Sequence, residues 1–301
     1  MKRILLWCLL LLPAITFSQD FTAQFPCHKK TEYFDFYYLR ESPKIPNITR
    51  FADGFVRLLN RDFFKTDFDY PIRVLVFEDR TQFKTFLSQQ LHMTDPPNFG
   101  VYVYAYKFFA TFEDSGLGTF AHEILHPLVE RNLKDRPQWA MEGIPAFFEK
   151  FYGHWQNDEL VTCWGYQNPW RIQQLGTNLT QLDLKLIIAD SDSSTRFSWI
   201  ERNESSCRMA SVFLWQQGQF KHFLNLIAAH DKAGYPTYFE AAMQMPLNQI
   251  LPLWQDYLNN VATHRTKILH LPASCIFDDE STFDTFMLMN DISTTQPKTT
   301  P

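Results

Sequence analysis

Glycine is scarce in this 301-residue chain, ten in all, which leaves little room for a phosphate-binding loop, and no such spacing occurs. A G-x-S-x-G pentapeptide is missing too, so the strand-to-helix elbow of serine hydrolases is excluded. No internal repeat is present. Of the five cysteines none stands in a C-x-x-C spacing, which argues against thiolate metal sites. Basic clusters are lacking: 28 Lys and Arg stand against 33 Asp and Glu for a net charge of −5, and nucleic acid is not an expected partner. Beyond the first dozen residues no apolar run approaches the roughly 20 residues that cross a bilayer, so no membrane anchor is expected.

What the chain has in quantity is aromatic residues: 29 Phe, 12 Tyr and 8 Trp, ample material for a dense core. Residues 1–18 read as a secretory signal. Lys2 and Arg3 open it, Ile4 to Leu12 form its apolar centre, and Thr16-Phe17-Ser18 precede the cut before Gln19. Cys8 lies inside the apolar run rather than after the cut, so a lipid anchor is not indicated. The expectation is export, to the periplasm or outside the cell. There the remaining Cys27, Cys163, Cys207 and Cys275 can form disulfides in three pairings, Cys163–Cys207 with Cys27–Cys275 among them.

Periodicity orders the chain. Tyr33 to Leu39 and Ile72 to Phe77 read as strands, and Gly100 to Tyr106 as a third. Between them, Ile48 to Phe64 and a run capped by Asp79 carry apolar residues at helical spacing. This β-α-β-α-β order predicts a mixed α+β lobe over residues 19–150. Gly153 to Trp199 reads as loops with short helices. Met209 to Ile227 is helical with a break near Gly218, and Tyr238 to Met243 and Leu247 to Val261 form a helix pair split by Pro246. Residues 151–270 are therefore expected to be mostly helical, and the polar tail 271–301 to be disordered.

The chemistry concentrates in His122-Glu123-Ile124-Leu125-His126. On a helix, positions i and i+4 lie about 40° apart and one turn up the axis, so both imidazoles can reach one metal ion with Glu123 at its edge. Two neutral nitrogen ligands with a base beside the metal suit a zinc hydrolase. Phe120, Ile124 and Leu128 form an apolar stripe, and Ser115 or Thr119 can cap the start. Pro127 is expected to kink or shorten the helix just after His126.

A third ligand is needed. Glu142, sixteen residues past His126 in Pro137-Gln138-Trp139-Ala140-Met141-Glu142-Gly143, is a lone acid among apolar residues, and coordination would remove the cost of burying it. Its plainer reading is an acid favoured by a helix dipole. Glu149 lies two turns further and can accept a hydrogen bond from a ligand imidazole, or be an ordinary surface acid; Pro145 weakens the helix between them.

His-Glu-x-x-His followed by Pro-x-Trp-x-x-Glu-Gly and an aromatic helix resembles the gluzincin metallopeptidases, nearest the secreted peptidase MA-like group, from about Tyr33 to about Asn260. The resemblance implies a thermolysin-like catalytic core and one Zn2+ held by His122, His126 and Glu142. It implies Glu123 as general base and a peptide or protein as substrate. It also implies that the strand carrying Tyr102 and Tyr104 edges the cleft and pairs with an extended peptide; packing as a half-buried strand is the alternative. One departure stands out. The later helix of such enzymes usually supplies a Tyr or His to the oxyanion, whereas here it begins Ser205-Ser206-Cys207-Arg208-Met209. Tyr166, His154, Tyr235 and Tyr238 are the alternatives. A non-catalytic, zinc-stabilised binding protein derived from such a peptidase is the competing class.

Overall fold

The computed structural model describes residues 20–64, 71–189, 203–264 and 283–284. The expected signal segment, with Cys8 in it, and Cys275 lie outside them. β1 (Cys27–Lys30) and β2 (Phe34–Tyr38) form an antiparallel pair, followed by α1 (Lys44–Asp62), β3 (Ile72–Phe77) and α2 (Arg80–Gln90). β4 (Gly100–Val103) turns back into β5 (Phe108–Phe112). Together they make a mixed five-stranded sheet in the order β1-β2-β3-β5-β4, with β2, β3 and β5 parallel and β4 on the edge.

The two-residue period of the strands sorts their side chains between two cores. Phe34, Phe36, Val74, Val76, Tyr102 and Phe109 face α1 and the main core. Leu75, Phe77, Phe108, Ala110 and Phe112 face α2 with Phe21 and Phe25. Beyond the sheet come α3 (Leu117–Asn132), which carries the His-Glu-x-x-His run, and α4 (Gln138–Phe148), which carries Glu142.

A hairpin follows, β6 (Tyr152–Gln156) with β7 (Glu159–Cys163), and then α5 (Pro169–Leu175), α6 (Leu184–Ile187) and α7 (Glu204–Gln216). The chain continues through α8 (Phe220–Ala229), α9 (Tyr238–Met243) and α10 (Leu247–His264). The main core is continuous from Phe34 to Val261, so helices of the second half pack into the same apolar mass as the first sheet. No helix among the described residues is long and apolar enough to cross a membrane.

Several expectations need correction. The third strand ends at Val103, not Tyr106, because residues 104–107 form the turn that reverses the chain into β5. α3 runs through Pro127 to Asn132: one backbone bond is forgone, and burial of Leu125, Leu128 and Val129 holds the helix across the gap. α4 likewise continues past Pro145. Gly116, rather than Ser115 or Thr119, stands at the start of α3 without a side-chain cap. The Gly153–Trp199 loops contain the β6–β7 hairpin, turned by Asn157 and Asp158, both at positive φ as a two-residue hairpin loop requires. Phe283–Asp284, in the tail expected to be disordered, forms β8 against β6. Cys27 and Cys207 are free thiols, and Cys163 is disulfide-bonded; neither of the pairings named above exists.

Candidate metal centre

α3 and α4 pack side by side, and their facing sides carry the three expected ligands. Nε2 of His122 lies 3.5 Å from Oε2 of Glu142, and Nε2 of His126 lies 4.0 Å from the same oxygen. One ligand atom from each residue falls within 4.8 Å of the others, a cluster able to hold a metal ion. Ligands about 2 Å from a tetrahedral zinc stand about 3.3 Å apart, close to the His122–Glu142 separation and somewhat shorter than the His126–Glu142 one. Both imidazoles are buried, and Glu142 is partly exposed.

The outer nitrogens are held as well. Nδ1 of His122 is 3.3 Å from Oε2 of Glu149, and Nδ1 of His126 is 3.1 Å from the Tyr104 hydroxyl. In the tautomer that ligates through Nε2, each Nδ1–H donates to one of these oxygens and fixes the ring plane. Glu149 stands at the C-terminal end of α4, among partners the sequence did not suggest. Arg171 grips it with Nε at 2.8 Å and Nη2 at 2.7 Å, and the Asn168 amide donates at 2.8 Å. Arg171 then reaches the half-exposed Glu204 at 2.6 Å. Asn168 also caps α5 ahead of Pro169, which places Arg171 in the first turn, facing inward. Behind them Arg208 of α7 is buried, donating to the carbonyls of Ala146 and Tyr166.

Charge distribution follows from burial. Burial opposes ionisation of Glu149, but the Arg171 guanidinium holds its carboxyl well below the usual carboxylate range. Burial also opposes charge on His122, yet hydrogen bonds to Glu142 and Glu149 raise it well above an ordinary imidazole. His126 is pushed down to about 4 by burial and by the charge on His122.

Glu123 lies beside the triad, with Oε2 3.9 Å from Nε2 of His126. That oxygen is buried without a hydrogen-bond partner among the described residues, which is costly unless a water or ion completes it. Burial pushes the Glu123 carboxyl up to about 8, Glu142 adding to the effect and His122 opposing it. A proton acceptor poised near neutrality suits general base work. β4 presses on it from the side: a Cβ at Gly100 would come within 2.8 Å of Glu123 Cγ and Oε1.

The strand tyrosines divide. Tyr102 is buried with its hydroxyl 3.3 Å from Glu130, and Tyr104 lies in the turn beyond β4, half-exposed, over His126. On the opposite side α7 approaches α4 so closely that a Cβ at Gly143 would meet the Cys207 carbonyl at 2.8 Å. Tyr238 spends its hydroxyl on Asp135, and Tyr166 packs edge-on against Tyr152. Searches against protein-family models and against curated proteins gave no match to this chain.

Proposed function

We propose that this chain is an exported zinc-dependent metallopeptidase of the gluzincin type. The observation that carries the reading is the convergence of two inner imidazole nitrogens and the Glu142 carboxylate, both outer nitrogens being held by separate oxygens. The donor set of two imidazoles and one carboxylate, with a position left open, matches the preference of catalytic zinc. An ion bound there supplies a Lewis acid that lowers the pKa of water and polarises a carbonyl.

The chain's own groups do the rest. Glu123 removes a proton from the attacking water and delivers it to the departing amine. Burial around it excludes bulk solvent and strengthens that transfer. His122 and His126 are held in fixed planes by Glu149 and Tyr104. β4, last in the order of the five-stranded sheet, is in this reading the strand along which an extended peptide lies beside Glu123. Residues 1–18 direct the chain out of the cytoplasm in this reading.

Glu123→Gln tests it: the expected product retains a full equivalent of zinc and loses peptide hydrolysis. Loss of zinc together with activity would make Glu123 a structural member of the site and overturn its assignment as base. A second reading, a zinc-stabilised exported binding protein, is favoured by one observation. α7 brings Cys207 and Arg208 toward α4 where an oxyanion-donating Tyr or His is expected. Loss of one oxyanion donor typically costs about 2.7–4 kcal/mol of transition-state stabilisation. Slow or absent turnover in a fully metallated protein would favour this reading.

A further inference from the structure

β4 lies against α3 with its alternate residues in step with the turns of the helix. Two strand residues advance about 6.7 Å and one helical turn about 5.4 Å, so the two run side by side over a short stretch. Gly100 abuts Glu123 and Thr119. Tyr102 stacks its ring on His126, the centroids 6.1 Å apart and the planes 16° from parallel, and its hydroxyl lies 3.3 Å from the Glu130 carboxylate. Its backbone N–H donates to the Glu123 carboxylate. Oε2 of Glu123 has no hydrogen-bond partner among the described residues, which puts that bond on Oε1. Tyr102 stands opposite Phe109 in the β4–β5 register. In an antiparallel pair every second residue turns its N–H away from the partner strand, and at Tyr102 that outward N–H is taken by α3.

We infer that Tyr102 is a positioning residue for Glu123: its N–H fixes Oε1, so that Oε2, the oxygen 3.9 Å from Nε2 of His126, is the one that exchanges protons. The proton-transfer part rests on the peptidase reading above. A carboxylate without a tether turns about its last side-chain bonds and presents either oxygen in a range of directions. A donor on one oxygen removes that freedom before a substrate arrives, which is the entropy a positioned base saves. A hydrogen bond to an ionised acceptor is stronger than a neutral one, and burial keeps out the water that would compete for it. The same residue reaches the second imidazole through its ring, so base and ligand are referred to one point of the edge strand. Gly100 fits this role. A Cβ there would come within 2.8 Å of Glu123 and force the strand away from the carboxylate it holds.

Amide hydrogen exchange on the purified zinc-loaded protein, resolved by NMR, tests the tether apart from turnover. The Tyr102 amide is expected to exchange slowly although β4 is last in the order of its sheet. In Glu123→Ala it should exchange about 100-fold faster, with zinc content unchanged and the amides of β5 keeping their rates. Equal rates in the two proteins overturn the tether. Replacing Tyr102 by its α-hydroxy analogue turns the amide into an ester, which removes the donor and keeps the ring. Peptide hydrolysis should then lose about 10- to 100-fold in kcat with KM and zinc content unchanged; an unaltered kcat overturns the positioning role. A wild-type zinc protein that cleaves no peptide, its Tyr102 amide still protected and exposed to exchange in Glu123→Ala, overturns the peptidase reading and leaves the tether standing.

Discussion

The Glu149 carboxylate lies 3.3 Å from Nδ1 of His122, while two nitrogens of Arg171 hold it from the other side. A buried acid that would otherwise be costly is thus balanced between the Arg171 guanidinium and the His122 imidazole. Glu149→Ala is expected to weaken zinc binding 10- to 100-fold, measured by competition with a chromophoric chelator. Unchanged affinity would mean that the ring needs no such anchor.

Arg171→Met removes the strongest partner of that carboxylate. Breaking one side of a buried pair typically costs about 3–5 kcal/mol, so the urea midpoint should fall sharply. Arg171→Lys keeps the charge but not the two-pronged grip, and should recover only part of the loss.

Acidification acts on the same pair with a definite sign. Arg171 depresses the folded pKa of Glu149 below its unfolded value. Its contribution is therefore complete above the unfolded value of about 4.3 and is lost as pH falls through the folded one. His122 is raised, so its contribution in the metal-free protein is complete below about 6.5 and is lost as pH rises. Thermal unfolding of metal-free protein across pH 3–8 should show both limbs. Glu149→Gln should flatten the acid limb, and an unchanged acid limb in that variant would contradict the assignment.

Gly100→Ala drives a Cβ to within 2.8 Å of the Glu123 side chain and of Thr119. Displacing a base by about 1 Å can cost roughly 100-fold in rate. The expectation is full zinc occupancy with kcat reduced by about that factor. Gly143→Ala acts instead on the α4–α7 contact, 2.8 Å from the Cys207 carbonyl, and should lower stability by about 1–3 kcal/mol.

The sequence was most readable where one short pattern governs. The i, i+4 imidazoles and the two-turn spacing of Glu149 from Glu142 followed from helical geometry, Glu142 itself from its isolation among apolar residues and from the family resemblance, and α9 and α10 from their apolar period and Pro246. It was least readable where distant chain decides. Pro127 and Pro145 suggested breaks that buried packing overrode. Tyr104 and Tyr106 continued an apolar alternation but fall in a turn, because β5 beyond it pairs with both β4 and β3. The Asn157-Asp158 pair was a usable hairpin signal. Asn168-Pro169 marked a helix start, yet nothing local said that Arg171 would turn inward to Glu149. Gly100 and Gly143 owe their meaning to neighbours remote in sequence.

Metal stoichiometry of the purified chain bears most directly on the centre formed by α3 and α4. Elemental analysis should find one zinc per chain, lost in His122→Ala and in Glu142→Ala and retained in Glu123→Gln. Less than about half an equivalent of zinc, with no other metal in its place, would contradict the account.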